Sequence, residues 1–470
     1  MSAIQKFIKS SSVFFIGSAL SKVIVFFMMP IYTKYLPTDD YGYFDVSSTY
    51  LSLVLAAIFF EIWSTTLRFM YQNKEKEYKR KMIANGMALF FIFLIIYTVL
   101  FAVLGISSLI PYLNYIYIWG ISIVLSNLFM FITRGMEQDL DFAVSGIINT
   151  FITALLSIIF IIGLHMNFSS LYIAAIIGDF LQVIFLEYKT HILYNFKVRY
   201  IDTLVLRQML RYTLPLCMNT TAYWILSGYS RILISKTMSL SDNGIYAVGH
   251  KFSYVIVFAT NCFTYAWQGV SFERDINDSG NGDFYSKACR LYIEFLSIAI
   301  VLALPVFNVV FPYLVDKSYM GAAALMPLFL INACLYAYTT FAENIFATLK
   351  KTNIVFLTMG ISCVLHILIS YPLIKLWGLN GVNTSILICY LTNIFIGYYA
   401  LKKLMNFKIS SKLIIALFSW VGLSFLIFVK MNALYNMIWF LVCLVITAYI
   451  YRRYINLIYE KALVKIKGLG

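Results

Sequence analysis

The chain has 470 residues, of which 61% are hydrophobic, 18% are aromatic and 12% are charged, and its formal net charge is +15. Soluble domains carry about 25% charged residues, so this composition excludes an ordinary soluble protein. The basic residues lie between apolar runs rather than in one patch. A membrane surface therefore explains the positive charge better than nucleic acid does, and no nucleic-acid partner is expected.

Fourteen apolar runs are long enough to cross a bilayer, which requires about 20 residues each. The first run has no small-residue cleavage site after it, so we expect a retained helix rather than a signal peptide. The pattern predicts an all-α polytopic membrane protein. The predicted spans are 11–35, 44–69, 83–104, 110–133, 143–164, 171–189, 213–237, 245–270, 286–311, 322–348, 353–374, 379–401, 411–429 and 433–451.

The basic residues also predict the orientation of these spans. If the N-terminus is cytoplasmic, 27 of the 36 Lys and Arg lie in cytoplasmic segments and five lie on the opposite side. Cytoplasmic loops of membrane proteins carry this excess of Lys and Arg, and one miscounted helix would remove the asymmetry. Both termini are therefore predicted to be cytoplasmic.

A short phrase, D-x-G-x-aromatic-x-V, occurs twice, at 40–46 and again 202 residues later at 242–248. Six predicted spans separate the copies, so both phrases fall on the external side. The two halves are then parallel repeats related by an axis along the membrane normal, an arrangement used by transporters. We expect Gly42 and Gly244 to lie in tight turns, and the first Asp of each phrase to cap the following helix.

The repeat predicts the domain organisation. Residues 1–190 form an N-terminal six-helix lobe, and 191–212 form a cytoplasmic amphipathic linker. Residues 213–403 form a C-terminal six-helix lobe. The segment 404–470 adds two helices outside the repeat and a basic cytoplasmic tail.

Lys22, Arg231 and Lys251 are cations that lie well inside predicted spans. A charge at a helix centre costs about 2.5–3.5 kcal/mol, so each needs a partner, a water-filled cavity or a function. Arg231 and Lys251 lie about 13 Å and about 10 Å below the external turn, and Lys22 lies deeper, at about 21 Å. Like charges at similar depth are unfavourable unless an anion joins them. We predict that the three line a cationic cavity that binds substrate.

Four other intramembrane charges are candidates for the cavity or for ion coupling: Glu61, Arg68, Asp179 and Glu343. Glu61 and Arg68 are seven residues apart and are expected to share a helix face, where they would partly compensate each other. Arg68 and Glu343 are near helix ends, so the alternative is that they snorkel to the interface. The alternative for Asp179 is an internal structural pair.

The sequence offers no catalytic or metal-binding pattern. The seven cysteines contain no C-x-x-C spacing, and the four histidines show no ligand spacing. An intramembrane polymerase or ligase would need a long external loop bearing Arg or His, and the external connections here are short. We therefore expect neither an enzyme nor a metal site, and no cofactor.

Five groups of residues together carry a family resemblance, and their order and spacing cover nearly the whole chain. They are Pro30–Leu36 with Asp40–Gly42, Arg211–Leu216 through Gly244–Tyr246, Lys350–Thr352, Tyr371–Ile374 and Trp377–Gly381. These motifs resemble those of Wzx-type polysaccharide repeat-unit flippases. In that family an Asp usually precedes the Arg of helix 7, but here Ser230 precedes Arg231. Arg231 is therefore expected to lack a neighbouring counter-ion.

The resemblance implies a MATE-like (MOP) exporter fold with two six-helix lobes around a cavity that opens alternately to each side. It implies transport of undecaprenyl-diphosphate-linked oligosaccharides to the outer leaflet of the bacterial cytoplasmic membrane, for O-antigen, capsule or another surface polysaccharide. A polysaccharide polymerase and chain-length machinery are the implied partners. Coupling to a proton or to a sodium gradient is open. The alternatives are a MATE-like exporter of small molecules and a flippase of another lipid-linked precursor, such as lipid II.

Overall fold

The computed structural model describes residues 20–106, 110–258, 281–349, 351–405 and 407–452, with residues 260, 263 and 267. The secondary structure of these residues is helical, with no strand among them. Ten of the helices in these ranges are long and apolar enough to cross a membrane. The expected all-α polytopic fold class is therefore confirmed. The chain forms two compact units, Met1–Lys251 with Met359–Ser385, and Phe252–Thr358 with Ile386–Gly470.

The first unit contains both repeated phrases and the three cations Lys22, Arg231 and Lys251. Residues 20–27 are helical and precede α1. The helices that follow are α1 Met29–Tyr35, α2 Thr38–Phe59, α3 Ile62–Met70, α4 Lys76–Ile106, α5 Leu113–Gly135, α6 Asp139–Ile158, α7 Ser169–Thr190, α8 Ile192–Asn195, α9 Thr203–Thr237 and α10 Leu240–Phe252.

The second unit is built around α11, which packs against α12, α14 and α15. A 53-residue helix, α13, covers two predicted spans, 353–374 and 379–401, and its residues Met359–Ser385 belong to the first unit. Gly378 interrupts it with φ +56° and ψ −137°, a conformation that a residue with a Cβ adopts only with strain. The helices of this part of the chain are α11 Asn281–Leu314, α12 Met326–Thr348, α13 Thr352–Leu404, α14 Ser411–Lys430 and α15 Ala433–Ile450.

The predicted span 44–69 is broken in two. Phe60 and Glu61, between α2 and α3, have φ of 46° and 54°, so two successive residues with side chains adopt the left-handed conformation. This conformation costs about 1–2 kcal/mol for each residue. The Thr213 hydroxyl accepts from Thr65 Oγ1 at 2.8 Å and donates to the Phe60 carbonyl, which gives this carbonyl a hydrogen-bond donor at the break. Because Glu61 lies in the break, the helix face that it was expected to share with Arg68 is absent.

The repeated phrases lie inside helices, so the expected tight turns at Gly42 and Gly244 are wrong. The two glycines lie where α2 and α10 cross in backbone contact. A Cβ on Gly42 would lie 1.8 Å from the carbonyl oxygen of Leu240, and a Cβ on Gly244 would lie 2.2 Å from that of Thr38. The Asn243 side chain donates to the Gly42 carbonyl at 3.1 Å and fixes the crossing.

The two aspartates that open the phrases differ in their roles. Ser239 Oγ accepts from the Asp242 amide at 3.0 Å and donates to Asp242 Oδ2 at 2.6 Å, so Ser239 caps α10 and Asp242 supports it instead of capping the helix itself. The N-cap of α2 is Pro37, with no side-chain cap hydrogen bond, so the capping role expected of Asp40 is wrong. Asp40 lies in the first turn of α2, where the helix dipole favours a negative charge.

Candidate functional site

Arg231 of α9 forms an ion pair with Asp45 of α2. Arg231 Nε lies 2.8 Å from Asp45 Oδ2, and the two side chains are 14% and 21% exposed. Asn243 Nδ2 donates to the same carboxylate oxygen at 3.2 Å. The expectation that Arg231 lacks a counter-ion is therefore wrong. The partner comes from the other half of the repeat, 186 residues earlier, because the glycine crossing brings α2 close to the helices of the second half.

The His250 imidazole lies at the centre of the predicted cations. Arg231 Nη2 lies 3.3 Å from His250 Nδ1. A guanidinium has only donors, so Nδ1 is the acceptor in this contact. Lys22 and Lys251 also lie within electrostatic range of the same imidazole. The structure thus brings together the three cations that were predicted to form one site.

Lys251 is held by aromatic rings. Its Nζ lies 5.3 Å from the ring centre of Tyr32 and 4.9 Å from that of Tyr41. The two rings are stacked, with their centres 6.1 Å apart. A cation within about 6 Å of a ring face is attracted to the ring electrons. These contacts orient the ammonium group, but the neutral rings do not cancel its charge.

The cluster formed by Lys22, Arg231, Lys251, His250 and Asp45 carries an excess of positive charge. It contains three cations and, in the ion pair of Arg231, one carboxylate. We call this group the cationic cluster, because its cationic side chains outnumber its described carboxylates. Placing such charges together in a medium of low dielectric is unfavourable, and an anion bound among them would offset that cost.

The four other candidate charges lie in different environments. Glu61 lies in the α2–α3 break, with one carboxylate oxygen 3.4 Å from Ser64 Oγ. Arg68 is exposed in the last turn of α3, as expected for a side chain that snorkels. Asp179 is buried within α7. Glu343 is half-buried on α12, in the second unit.

Sequence reasoning missed Asp45, Asn243, Tyr32 and Tyr41. A signal for Asp45 was available, because it lies within the first repeated phrase and its counterpart in the second is Ala247. It was therefore an unmatched charge, like the cations. The tyrosines gave no comparable signal in a chain with 36 tyrosines, since only the fold selects the two that face Lys251.

The second unit contains an apolar groove with a volume of about 670 Å³. Side chains of α11, α12, α13 and α14 line it, including Ile300, Leu335, Phe395 and Phe418. Several of these are exposed, Phe395 by 72% and Phe418 by 62%. The groove has the chemistry of a hydrocarbon-binding surface.

No protein-family model and no curated protein matches the sequence. Solved structures do match the fold. The lipid II flippase MurJ in an inward closed conformation superposes with a TM-score of 0.69 at 14% identity, over 94% of this chain and 99% of that one. A MATE transporter in complex with MaD3S gives a TM-score of 0.59 at 13% identity, over 85% and 96%. An outward-facing multidrug resistance MATE transporter of the MOP superfamily gives 0.58 at 15% identity, over the same shares.

At such low identity these likenesses establish the fold and nothing finer. They cover 94% and 85% of this chain, so both of its halves take part in the match. Together with the ten apolar helices of the described residues, they give the conclusion that the chain is a multi-pass membrane protein with the MurJ and MATE transporter fold.

Proposed function

We propose that this protein is a flippase that moves undecaprenyl-diphosphate-linked oligosaccharide repeat units from the inner to the outer leaflet of the bacterial cytoplasmic membrane. The product would supply O-antigen, capsule or another surface polysaccharide. The cationic cluster is the observation that carries the proposal, because it gathers one guanidinium and two ammonium groups around one imidazole, and a diphosphate diester is an anion. Guanidinium and ammonium groups bind phosphate oxygens through charge-assisted hydrogen bonds.

Binding of the diphosphate would compete with an existing contact. Asp45 occupies Arg231 Nε at 2.8 Å, so a phosphate oxygen at Arg231 would displace this carboxylate. Asp45 belongs to the first half of the repeat and Arg231 to the second. Displacement would remove one bond between the two halves near the α2–α10 crossing. Substrate binding would thereby favour opening on the side where the repeated phrases lie, which the charge pattern predicts to be external.

The other parts of the substrate need different surroundings. The glycan requires a hydrated cavity, and the polyprenyl chain can remain in lipid or enter an apolar surface such as the groove of the second unit. Alternating access moves the substrate without any covalent chemistry in the protein. A cofactor has no role in such a mechanism.

A flippase for another lipid-linked precursor is the second candidate. The likeness to MurJ favours it, because that match covers 94% of this chain and 99% of MurJ. Both candidates require recognition of a polyprenyl diphosphate and differ in the glycan. An exporter of small cations fits less well, since the cationic cluster would repel its substrate.

The test is a flipping assay in proteoliposomes with fluorescent polyprenyl-diphosphate glycans. We expect Arg231→Ala to slow flipping at least tenfold and Lys22→Ala and Lys251→Ala to slow it severalfold. Lys430→Ala is the matched control, because Lys430 is exposed at the end of α14. Wild-type rates in all three cluster variants, at equal protein amounts, would refute the proposal. A lipid II analogue run alongside separates the two candidates.

A further inference from the structure

A second polar cluster lies within the membrane-spanning part of the first unit, at the packing of α7 against α5 and α6. Its centre is Asp179, the eleventh of the 22 residues of α7, which places the carboxyl near the middle of the span. The side chain is 9% exposed. We call this group the Asp179 cluster. Its members are Ser122 and Ser126 of α5, Ser145 and Asn149 of α6, and Asp179 and Gln182 of α7.

Both oxygens of the Asp179 carboxyl accept hydrogen bonds. Ser122 Oγ lies 2.7 Å from Oδ2, and Asn149 Nδ2 lies 2.8 Å from Oδ1. Asn149 also donates to Gln182 Oε1 at 2.9 Å, and Ser126 Oγ lies 3.1 Å from the same atom. Gln182 Nε2 donates to Ser145 at 3.2 Å. The cluster therefore joins three helices through one carboxyl, two amides and three hydroxyls.

The partners of Asp179 are all uncharged. In the parts of α5, α6 and α7 that the structure describes, no Lys, Arg or His forms an ion pair or hydrogen bond with it. An ionised carboxylate at this depth without a cation is costly, and a protonated one is not. The alternative expected from the sequence, an internal structural pair, would require a cation at hydrogen-bond distance.

Ser122 distinguishes a proton-binding site from a fixed structural contact. Its Oγ lies 2.7 Å from Asp179 Oδ2 and 2.8 Å from the Trp119 carbonyl oxygen, yet a hydroxyl has one proton. When Asp179 is ionised, Ser122 donates to the carboxylate. When Asp179 is protonated, the carboxyl donates to Ser122 Oγ, and the hydroxyl turns to donate to Trp119. The hydrogen bonds around Asp179 are satisfied in both states.

We propose that Asp179 is a reversible proton-binding site within the membrane, with Ser122 as the residue that switches its hydrogen bond, and that this site couples flipping to the proton gradient. One proton adds to Asp179 Oδ2, and the Ser122 hydroxyl rotates without losing its own proton. The coupling rests on the proposed function, whereas proton binding does not.

The geometry favours a proton over a sodium ion. Sodium would need several oxygen atoms directed at one point, but the Asn149 group facing the carboxyl is the NH₂ donor. That NH₂ group is also committed to Gln182, so turning the amide would break two hydrogen bonds. A proton requires only the hydroxyl rotation at Ser122.

Infrared difference spectroscopy of the full chain in lipid, without substrate, tests proton binding directly. We expect a carboxylic acid carbonyl band that disappears as the pH rises, and its complete loss in Asp179→Asn. Asp283→Asn, which changes an exposed carboxylate of α11, should keep the band. Ser122→Ala should move the midpoint of the band to higher pH, because the ionised Asp179 carboxylate loses the hydrogen bond from Ser122. If Asp179→Asn does not fold, this shift is the test of proton binding.

Identical difference spectra for wild type, Asp179→Asn and Ser122→Ala would overturn the proposal, as would a band that responds to sodium at fixed pH.

Coupling is tested separately in proteoliposomes with an imposed proton gradient. Wild-type flipping should accelerate with the gradient, and Asp179→Asn should lose that response. A titrating Asp179 with no flipping of any polyprenyl diphosphate would refute the proposed function and leave proton binding standing. Gradient-driven flipping that persists in Asp179→Asn would refute the coupling.

Discussion

Gly42 and Gly244 occupy the same position in the two repeated phrases and lie against each other, since a Cβ on Gly42 would stand 2.9 Å from the amide nitrogen of Gly244. The crossing of α2 and α10 thus joins equivalent points of the two halves. Ser241 and Thr38 add a hydrogen bond of 2.6 Å beside it.

The crossing predicts a strong effect of one methyl group. Gly42→Ala would place a Cβ 1.8 Å from the Leu240 carbonyl oxygen, which neither backbone can avoid without moving. We expect destabilisation by at least about 1–3 kcal/mol, the usual cost of overpacking. The measurement is thermal unfolding of the protein in detergent.

Gly146→Ala is the control for that experiment, because a Cβ on this glycine of α6 meets nothing within 4 Å. It should unfold at the wild-type temperature or slightly above, since Ala favours a helix over Gly by about 1 kcal/mol. Equal unfolding temperatures for Gly42→Ala and Gly146→Ala would contradict the observed crossing.

The Asp45–Arg231 ion pair predicts that Asp45→Asn binds diphosphate more tightly. The change removes the carboxylate that competes for Arg231 and keeps the size of the side chain. We expect affinity for a short-chain polyprenyl diphosphate to rise about tenfold, equivalent to about 1.4 kcal/mol. Isothermal titration calorimetry measures it. Asp39→Asn, an exposed site on the same helix, controls for net charge. Weaker binding in Asp45→Asn would show that the carboxylate does not compete.

The break between α2 and α3 predicts a specific role for the Thr213 hydroxyl. Thr213→Val leaves the Phe60 carbonyl without this donor and removes the acceptor of Thr65. A buried polar group left without its partner costs about 1–3 kcal/mol, so the unfolding temperature should fall. Thr213→Ser keeps the hydroxyl and should lose less stability. If Ser and Val are equally destabilising, packing rather than hydrogen bonding holds the break.

The carboxyl of Asp202, in the connection before α9, is expected to account for part of the stability that the protein loses at acid pH. The hydrogen bond from Lys81, at 2.6 Å, lowers the pKa of this carboxyl below its ordinary value of 3.8, and the Leu204 amide lowers it further. A folded-state pKa below the unfolded one adds stability above the unfolded value, and this stability is lost as the pH falls through the folded value. The unfolding temperature should therefore fall less steeply at acid pH in Asp202→Asn than in the wild type. Asp283→Asn should leave this pH dependence unchanged.

The fold class was predictable from the sequence, because hydrophobic length acts locally along the chain, whereas the cationic site of Lys22, Arg231 and Lys251 stays a prediction. The ion pair of Arg231 was not predictable, since its partner is 186 residues away and is set by how α9 packs against α2. Gly42 shows the same limit. A glycine serves either a turn or a close approach of two backbones, and its surroundings alone decide between them.

The glycine crossing also bears on how the two halves can move. Helices that meet through interdigitated side chains must separate these side chains before they can tilt. Two helices that meet at glycines have no side chains at the contact and can change their crossing angle there. The crossing of α2 and α10 therefore has the properties of a pivot. Asp45 lies three residues beyond Gly42, about 4.5 Å along the helix, so its ion pair is close to the point about which α2 would tilt. Loss of that ion pair would release α2 from α9 close to the pivot, so that α2 could tilt about the crossing.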